Sequence, residues 1–165
     1  MVGGASSGKS SVALALAGGK GRKAFVATGQ PLDGEMAERI SRHRRSRGPE
    51  WETSEVPVDL ASWFEKHGAD YRVVVLDCLT LWLSNLRERG VSEKQVPSLV
   101  AALLAAIRGA SARVLLVSNE LGLGLVPLEA ETRRFRDLAG QVNQLVAREA
   151  DEVHVVLSGI PLRIK

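Results

Sequence analysis

The sequence predicts an α/β protein whose mainly parallel sheet is covered by helices on both faces. Apolar, β-branched segments alternate with segments whose apolar residues recur at helical spacing. The strand-like segments are unbroken apolar runs, as expected for strands buried on both faces. Near the start lies Gly3-Gly4-Ala5-Ser6-Ser7-Gly8-Lys9-Ser10, which fits G-x-x-x-x-G-K-[ST] at every fixed position. Together these make the fold P-loop NTPase-like.

The elements follow in order. Only Met1 and Val2 precede Gly3, where about five apolar residues of a buried strand are the norm. The first strand is therefore expected to be short, from a truncated or misassigned start. Residues 12–16 form the apolar side of a helix whose N-terminus favours anions. Residues 24–28 read as a short buried strand. Asp33 caps a helix running to about Arg47, and Gly48-Pro49 stops it. A helix over 59–66 and a continuous buried strand over 72–77 come next. Ser92-x-x-Gln95 is a capping box opening a helix through Leu99, Leu103 and Ile107. A strand over 113–118 leads into a glycine-rich loop over 122–127. The longest helix spans 129–149, with Phe135, Leu138, Val142, Leu145 and Val146 on one face. The last strand covers 153–157, and Ser158-Gly159 breaks it. With no repeat or linker, residues 1–165 read as a single nucleotide-binding domain.

Composition narrows the class. The net charge of +3, from 22 Lys and Arg against 19 Asp and Glu, is too mild to argue for a nucleic-acid or membrane partner. No apolar run reaches about 18 residues, so no membrane span is expected. Cys78, the single cysteine, has no internal disulfide partner and sits in an apolar stretch. It reads as an inert core residue in a reducing, cytoplasmic compartment.

The P-loop carries the first chemistry. Its glycines let backbone N–H groups curl around phosphate oxygens, Lys9 supplies a charge for the β- and γ-phosphates, and Ser10 offers a hydroxyl to Mg²⁺. Asp77 closes the run Val-Val-Val-Leu-Asp, the Walker B arrangement, where it would hold Mg²⁺ together with Ser10. In open α/β sheets, ligands sit beyond the carboxyl ends of the strands. The P-loop, Thr28, Asp77 and Ser118-Asn119-Glu120 all fall there. Trp51, Trp63 and Trp82 read as core residues, His67 as a helix-end residue and His154 as structural.

His43 is open to two readings. Met36, Ile40 and His43 share an apolar helix face, while Arg39, Arg42, Arg44, Arg45 and Arg47 surround it in sequence. Spacing alone favours a partly buried histidine on a solvated basic helix. The other reading poises it over a triphosphate held by arginines, where nearby positive charge disfavours the imidazolium and leaves a nucleophilic nitrogen.

Taken in order, these motifs resemble one family. They are Gly-Gly-Ala-Ser-Ser-Gly-Lys-Ser at 3–10, Ala27-Thr28-Gly29, Asp33-x-Glu35-Met36, Arg39-Ile40-x-x-His43 and Trp51-x-Thr53-x-Glu55. They continue with Leu76-Asp77-Cys78-Leu79-Thr80, Asn85-Leu86, Ser118-Asn119-Glu120-x-Gly122-x-Gly124-x-Val126-Pro127, Phe135-Arg136-Asp137-x-x-Gly140-x-x-Asn143-Gln144 and Ser158-Gly159-Ile160. The chain resembles the bifunctional adenosylcobinamide kinase/adenosylcobinamide-phosphate guanylyltransferases of cobalamin biosynthesis along essentially its whole length.

The resemblance implies two reactions at one nucleotide site. Adenosylcobinamide is phosphorylated from GTP or ATP. A GMP-histidine, formed from GTP, then passes GMP to adenosylcobinamide phosphate, giving adenosylcobinamide-GDP. It places the guanylylated histidine at His43, reversing the preference from spacing, and makes Lys9 the other catalytic residue. It puts nucleotide binding at Gly3, Gly4, Ala5, Ser6, Ser7, Gly8, Lys9, Ser10, Ala27, Thr28, Gly29, His43, Arg44, Arg45, Ser46, Glu55 and Asp77. Mg²⁺ would lie at Ser10 and Asp77. The family often has Glu where Asp77 stands and Arg where Ser6 stands. A homo-oligomer is implied as well.

Three other readings remain beside it. A single-activity small-molecule kinase would need Lys9, Ser10 and Asp77 but no covalent histidine. A GTP switch would carry an Asn-Lys-x-Asp loop, whereas this chain has Asn119-Glu120. A nucleic-acid binder using the arginines at 39–47 would show a steep salt dependence.

Overall fold

The computed structural model describes residues 1–45 and 47–165; Ser46 and the side chains of Arg39 and His43 lie outside the described part. The elements in chain order are β1 (Val2–Gly3), α1 (Lys9–Leu16), β2 (Lys23–Ala27), α2 (Gly34–Arg45), β3 (Trp51–Glu55), α3 (Leu60–His67) and β4 (Val73–Asp77). After β4 come α4 (Leu79–Glu88), α5 (Val96–Gly109), β5 (Arg113–Asn119), α6 (Ala130–Glu149), β6 (His154–Leu157) and β7 (Ile160–Arg163). The strands form one sheet in the order β3-β2-β4-β5-β1-β6-β7. Every pairing is parallel except β6 with β7. Among the described residues, no helix is long and apolar enough to cross a membrane.

The unbroken apolar strands explain the layers. In β4, Val74 and Leu76 point into a core shared with α3, α4, α5 and α6, through residues such as Phe64, Trp82, Leu103 and Val142. Val73 and Val75 point the other way, against Ala13 of α1 and Ala17 at its end, together with Phe25, Leu115 and Val117. Both faces of the central strands are thus buried, as a parallel sheet requires.

The short first strand is a feature of the structure. β1 holds only Val2 and Gly3, yet it lies between β5 and β6, with Val2 opposite both Ser118 and Val155. Gly3 is obligatory here, because a Cβ would come within 2.5 Å of the Val156 carbonyl oxygen.

Three elements escape the sequence reading. β3 is Trp-Glu-Thr-Ser-Glu, four of five residues polar, as the sheet edge paired with β2 allows. α4 follows β4 after the single residue Cys78, so one apolar run contains both elements. β7 contains Pro161, which argues against a strand but is tolerated at a sheet edge. Ser158-Gly159 is therefore a hairpin turn and not the end of the sheet. Both residues have positive φ, 51° and 81°, the backbone of a type I′ turn.

Helix starts also differ in detail. Asp33 caps α2 as expected, its Oδ1 accepting from the Met36 N–H at 2.7 Å. The Ser92 capping box is half formed. Gln95 Oε1 accepts from the Ser92 N–H at 2.9 Å, but the Ser92 hydroxyl donates to the same oxygen, and α5 begins only at Val96.

Candidate active site

A cleft of about 550 Å³ opens at the carboxyl ends of β2, β3, β4 and β5. Its floor is the P-loop. Gly8 enters α1 with φ 90°, a conformation natural to glycine, and a Cβ there would also press on Gly159 at 3.1 Å. The Gly159 N–H donates to the Ser7 carbonyl at 2.8 Å, so the β6–β7 turn braces the loop from below. Lys9 is almost fully buried, and its Nζ donates to the Gly4 carbonyl at 2.5 Å. The ammonium is folded back across its own loop.

Across the floor, Ser10 Oγ donates to Asp77 Oδ2 at 2.5 Å. A hydroxyl and a carboxylate converging on one point are hard oxygen donors suited to Mg²⁺. Among the described residues, no group of three or more His, Cys, Asp or Glu could hold a metal by itself.

The wall opposite the P-loop comes from α2 and β3. Arg42, Arg44 and Arg47 line it with Met36, Ile40, Thr53 and Glu55. The Arg47 guanidinium lies 3.9 Å from the centre of the Phe25 ring and donates from Nη2 to Thr53 Oγ1 at 3.1 Å. Its Nε is buried without a hydrogen-bond partner. Burial, and then Arg44 beside it, holds this guanidinium below its ordinary range, while Asp77 acts in the opposite sense. Arg44 and Arg47 oppose each other's charge, which an anion would relieve, whereas Arg42 is paired with Glu38, and Glu35 also lines the wall.

Of the predicted residues, Ala5, Ser6, Ser7, Gly8, Lys9, Ser10, Ala27, Gly29, Arg44, Glu55 and Asp77 line this cleft. Gly3 and Gly4 lie in the loop's stem. Thr28 lies beneath the cleft rather than on its wall: it is fully buried, with Oγ1 donating to the Cys78 carbonyl and accepting from the Cys78 N–H, both at 2.8 Å. Arg45 turns to Ser41 Oγ, at 2.8 Å on the exposed side of α2. The backbone of His43 lies in α2, while its side chain and all of Ser46 are outside the described residues. Asn119, which the sequence reading placed among the strand ends where a ligand sits, also lines the cleft, as do Phe25, Thr53 and Leu81, to which it gave no role there. Phe25 and Leu81 carry no chemical signal, but Asn119 was marked by its place at a strand end.

Cys78 is buried, and desolvation, then the Asp77 charge, pushes its thiol up to about 11. It is a core residue, as expected. A second cavity, of about 410 Å³, lies between β5, α5, α6 and Met1, and none of the predicted site residues lines it.

The sequence carries the same signature beyond single residues. The family model "Cobinamide kinase / cobinamide phosphate guanyltransferase" matches residues 1–164. The chain belongs to this family. It is 39% identical over 171 aligned positions to the bifunctional adenosylcobalamin biosynthesis protein CobP of Pseudomonas aeruginosa, covering 100% of this chain and 95% of that protein. It is 38% identical over 177 positions to the bifunctional adenosylcobalamin biosynthesis protein CobU of Escherichia coli, and equally to that of Salmonella typhimurium, covering 100% of this chain and 98% of each. This member of the cobinamide kinase/guanyltransferase family is accordingly a transferase with kinase and guanyltransferase activities in adenosylcobalamin biosynthesis.

Proposed function

We propose that both transfers use the single cleft between the P-loop and α2, with a GMP-histidine at His43 as the intermediate of the second. The observation that carries this reading is the Ser10–Asp77 contact, set beside the Lys9 ammonium and facing a wall of arginines. Together these would supply a metal site, a phosphate cradle and a cationic clamp in one space.

In the kinase reaction, the side-chain hydroxyl oxygen of adenosylcobinamide attacks the γ-phosphorus of GTP or ATP. The β–γ bridging bond breaks, the nucleoside diphosphate leaves, and the hydroxyl proton passes to water. P-loop amides and Lys9 hold the phosphates in line. Ser10 and Asp77 would hold Mg²⁺, which when bound neutralises charge on the phosphates.

In the guanylyl transfer, an imidazole nitrogen of His43 attacks the α-phosphorus of GTP and pyrophosphate leaves. A phosphate oxygen of adenosylcobinamide phosphate then attacks the same phosphorus, the N–P bond breaks, and adenosylcobinamide-GDP is formed. A covalent histidine divides one displacement into two. Arg42, Arg44 and Arg47 would hold the triphosphate against α2. Glu55 offers a carboxylate that can accept from guanine N–H groups. Motion of residues 31–55 between the two reactions would let one site serve both phosphorus atoms.

The wider setting follows from the same reading. A buried cysteine without a disulfide fits the cytoplasm. Leu123, Leu125 and Leu128, 81%, 96% and 91% exposed, supply an apolar surface for a homo-oligomer.

The test is incubation with Mg²⁺ and GTP labelled at the α-phosphate. The expected result is acid-labile, base-stable label on the protein, absent from His43→Ala, whose kinase activity persists. A folded, GTP-binding protein that takes no label would remove the histidine intermediate and leave direct transfer of GMP from GTP as the reading.

A further inference from the structure

We infer that Asn119 contacts the terminal phosphate of the bound triphosphate, and that Thr80 and Asn143 are the positioning residues that fix it there. The inference rests on the reading that this cleft holds the triphosphate, and adds a residue whose function that reading leaves open.

Sheet order makes the first argument. β5 is inserted between β4, which ends at Asp77, and β1, which enters the P-loop. Val117 is the partner of Asp77, and Asn119, two residues further on, is the partner of Gly3. The tip of β5 thus projects between the two halves of the phosphate machinery. The Glu120 N–H donates to the Gly3 carbonyl at 2.9 Å, which ties the tip to the P-loop stem. Lys9 is the P-loop group that addresses the β- and γ-phosphates, so a side chain between it and Asp77 faces the end of the triphosphate being transferred.

The second argument is the care with which the backbone is held. The Asn119 N–H donates to Thr80 Oγ1 at 3.0 Å. Its carbonyl accepts from Asn143 Nδ2 at 3.0 Å. Asn143 is itself fixed, its Oδ1 accepting from Ser118 Oγ at 2.7 Å. Three elements, α4, β5 and α6, converge on one residue, with Thr80 and Ser118 both buried. A strand end needs no such network merely to terminate.

The third argument is the side chain. All this polar scaffolding grips the backbone and leaves the carboxamide to the cleft, which it lines. Among the described residues its Nδ2 meets only the Cys78 sulfur, at 4.0 Å, a weak acceptor. A neutral donor held rigidly beside phosphate oxygens stabilises developing charge without reorganising.

The experiment compares GTP and GDP affinities, with Mg²⁺, for the wild-type protein, Asn119→Ala and Asn119→Asp, the GTP being supplied as its α,β-methylene analogue, which cannot lose pyrophosphate to His43. Loss of one hydrogen bond to a charged group predicts about ten-fold weaker GTP binding by Asn119→Ala. GDP binding stays within about two-fold of wild type because the β-phosphate amides are intact. Asn119→Asp weakens GTP further, a carboxylate facing a phosphate. In turnover, kcat of the kinase step falls while KM for the corrinoid holds. The GDP measurement reports that the variants are folded. Unchanged GTP affinity in Asn119→Ala, or equal losses for GTP and GDP, overturns the assignment of Asn119 alone. A folded wild-type protein that binds neither nucleotide overturns the cleft reading and this inference with it.

Discussion

Ser10 Oγ and Asp77 Oδ2 lie 2.5 Å apart although 67 residues separate them in the chain. The contact joins the first turn of α1 to the carboxyl end of β4, across the strand β5 that lies between β4 and β1. Asp77→Asn keeps the shape and removes the charge. It should lower kcat/KM of the kinase reaction by about 100-fold, the scale of losing one charge-stabilising group. Ser10→Ala should weaken the response to Mg²⁺ more than it weakens nucleotide binding. Rates measured over a Mg²⁺ titration check both; an Asp77→Asn protein with wild-type Mg²⁺ dependence would remove Asp77 from the metal site.

Gly159 concerns the same floor from below. Its N–H reaches the Ser7 carbonyl while its own φ is 81°, and a Cβ placed on it would meet nothing within 4 Å. The cost of Gly159→Val is therefore backbone strain, about 1–2 kcal/mol, and not a clash. Nucleotide affinity should fall with it, because the turn that braces the P-loop is displaced. Gly159→Asn, whose side chain tolerates the left-handed region, should retain most of both. Urea titrations and nucleotide binding on the two variants decide, and equal behaviour of Val and Asn would sink the strain argument.

The P-loop, Asp77 and the α2 cap were legible because each couples a local backbone need to a residue type. Gly3 and Gly8 have backbones and neighbours that tolerate no side chain, and Asp33 sits where a helix start wants an acceptor. β3 was not legible: four of its five residues are polar, with Glu52 and Glu55 exposed, and only its pairing to β2 makes it a strand. The role of Thr28 was hidden for a different reason. A polar residue at a strand end reads as a ligand, yet its hydroxyl is consumed by the backbone of Cys78. Sequence marks where polar side chains lie along the chain but not which of them the backbone already satisfies.

Asn85 shows that principle in the core. Its Nδ2 donates to the Thr28 carbonyl at 2.8 Å and the Pro57 carbonyl at 2.9 Å, and its Oδ1 accepts from Gln30 at 3.0 Å. It ties the chain leaving β2 to the chain leaving β3, behind the cleft. Asn85→Ala should cost about 2–3 kcal/mol, since it strands carbonyls in a buried place. A loss below about 0.5 kcal/mol in urea unfolding would mean that water replaces the amide.

Cys78 gives a pH dependence. Desolvation, then the neighbouring Asp77 charge, raises its thiol from the ordinary 9.0 to about 11 in the folded protein. The folded state therefore holds a proton that the unfolded state releases, and this contribution to stability is complete below pH 9. It is lost as pH rises from about 9 through about 11, on the order of 2 kcal/mol in all. Cys78→Ala lacks this component, so the wild-type protein should lose stability more steeply than the variant between those limits. Parallel slopes would show that the thiol titrates normally. At pH 8 the same burial predicts that a thiol-specific disulfide reagent modifies the native protein far more slowly than the urea-unfolded chain, because the attacking species is the thiolate. Fast modification of the native state would mean that the thiol, which borders the cleft, is open to solvent rather than buried.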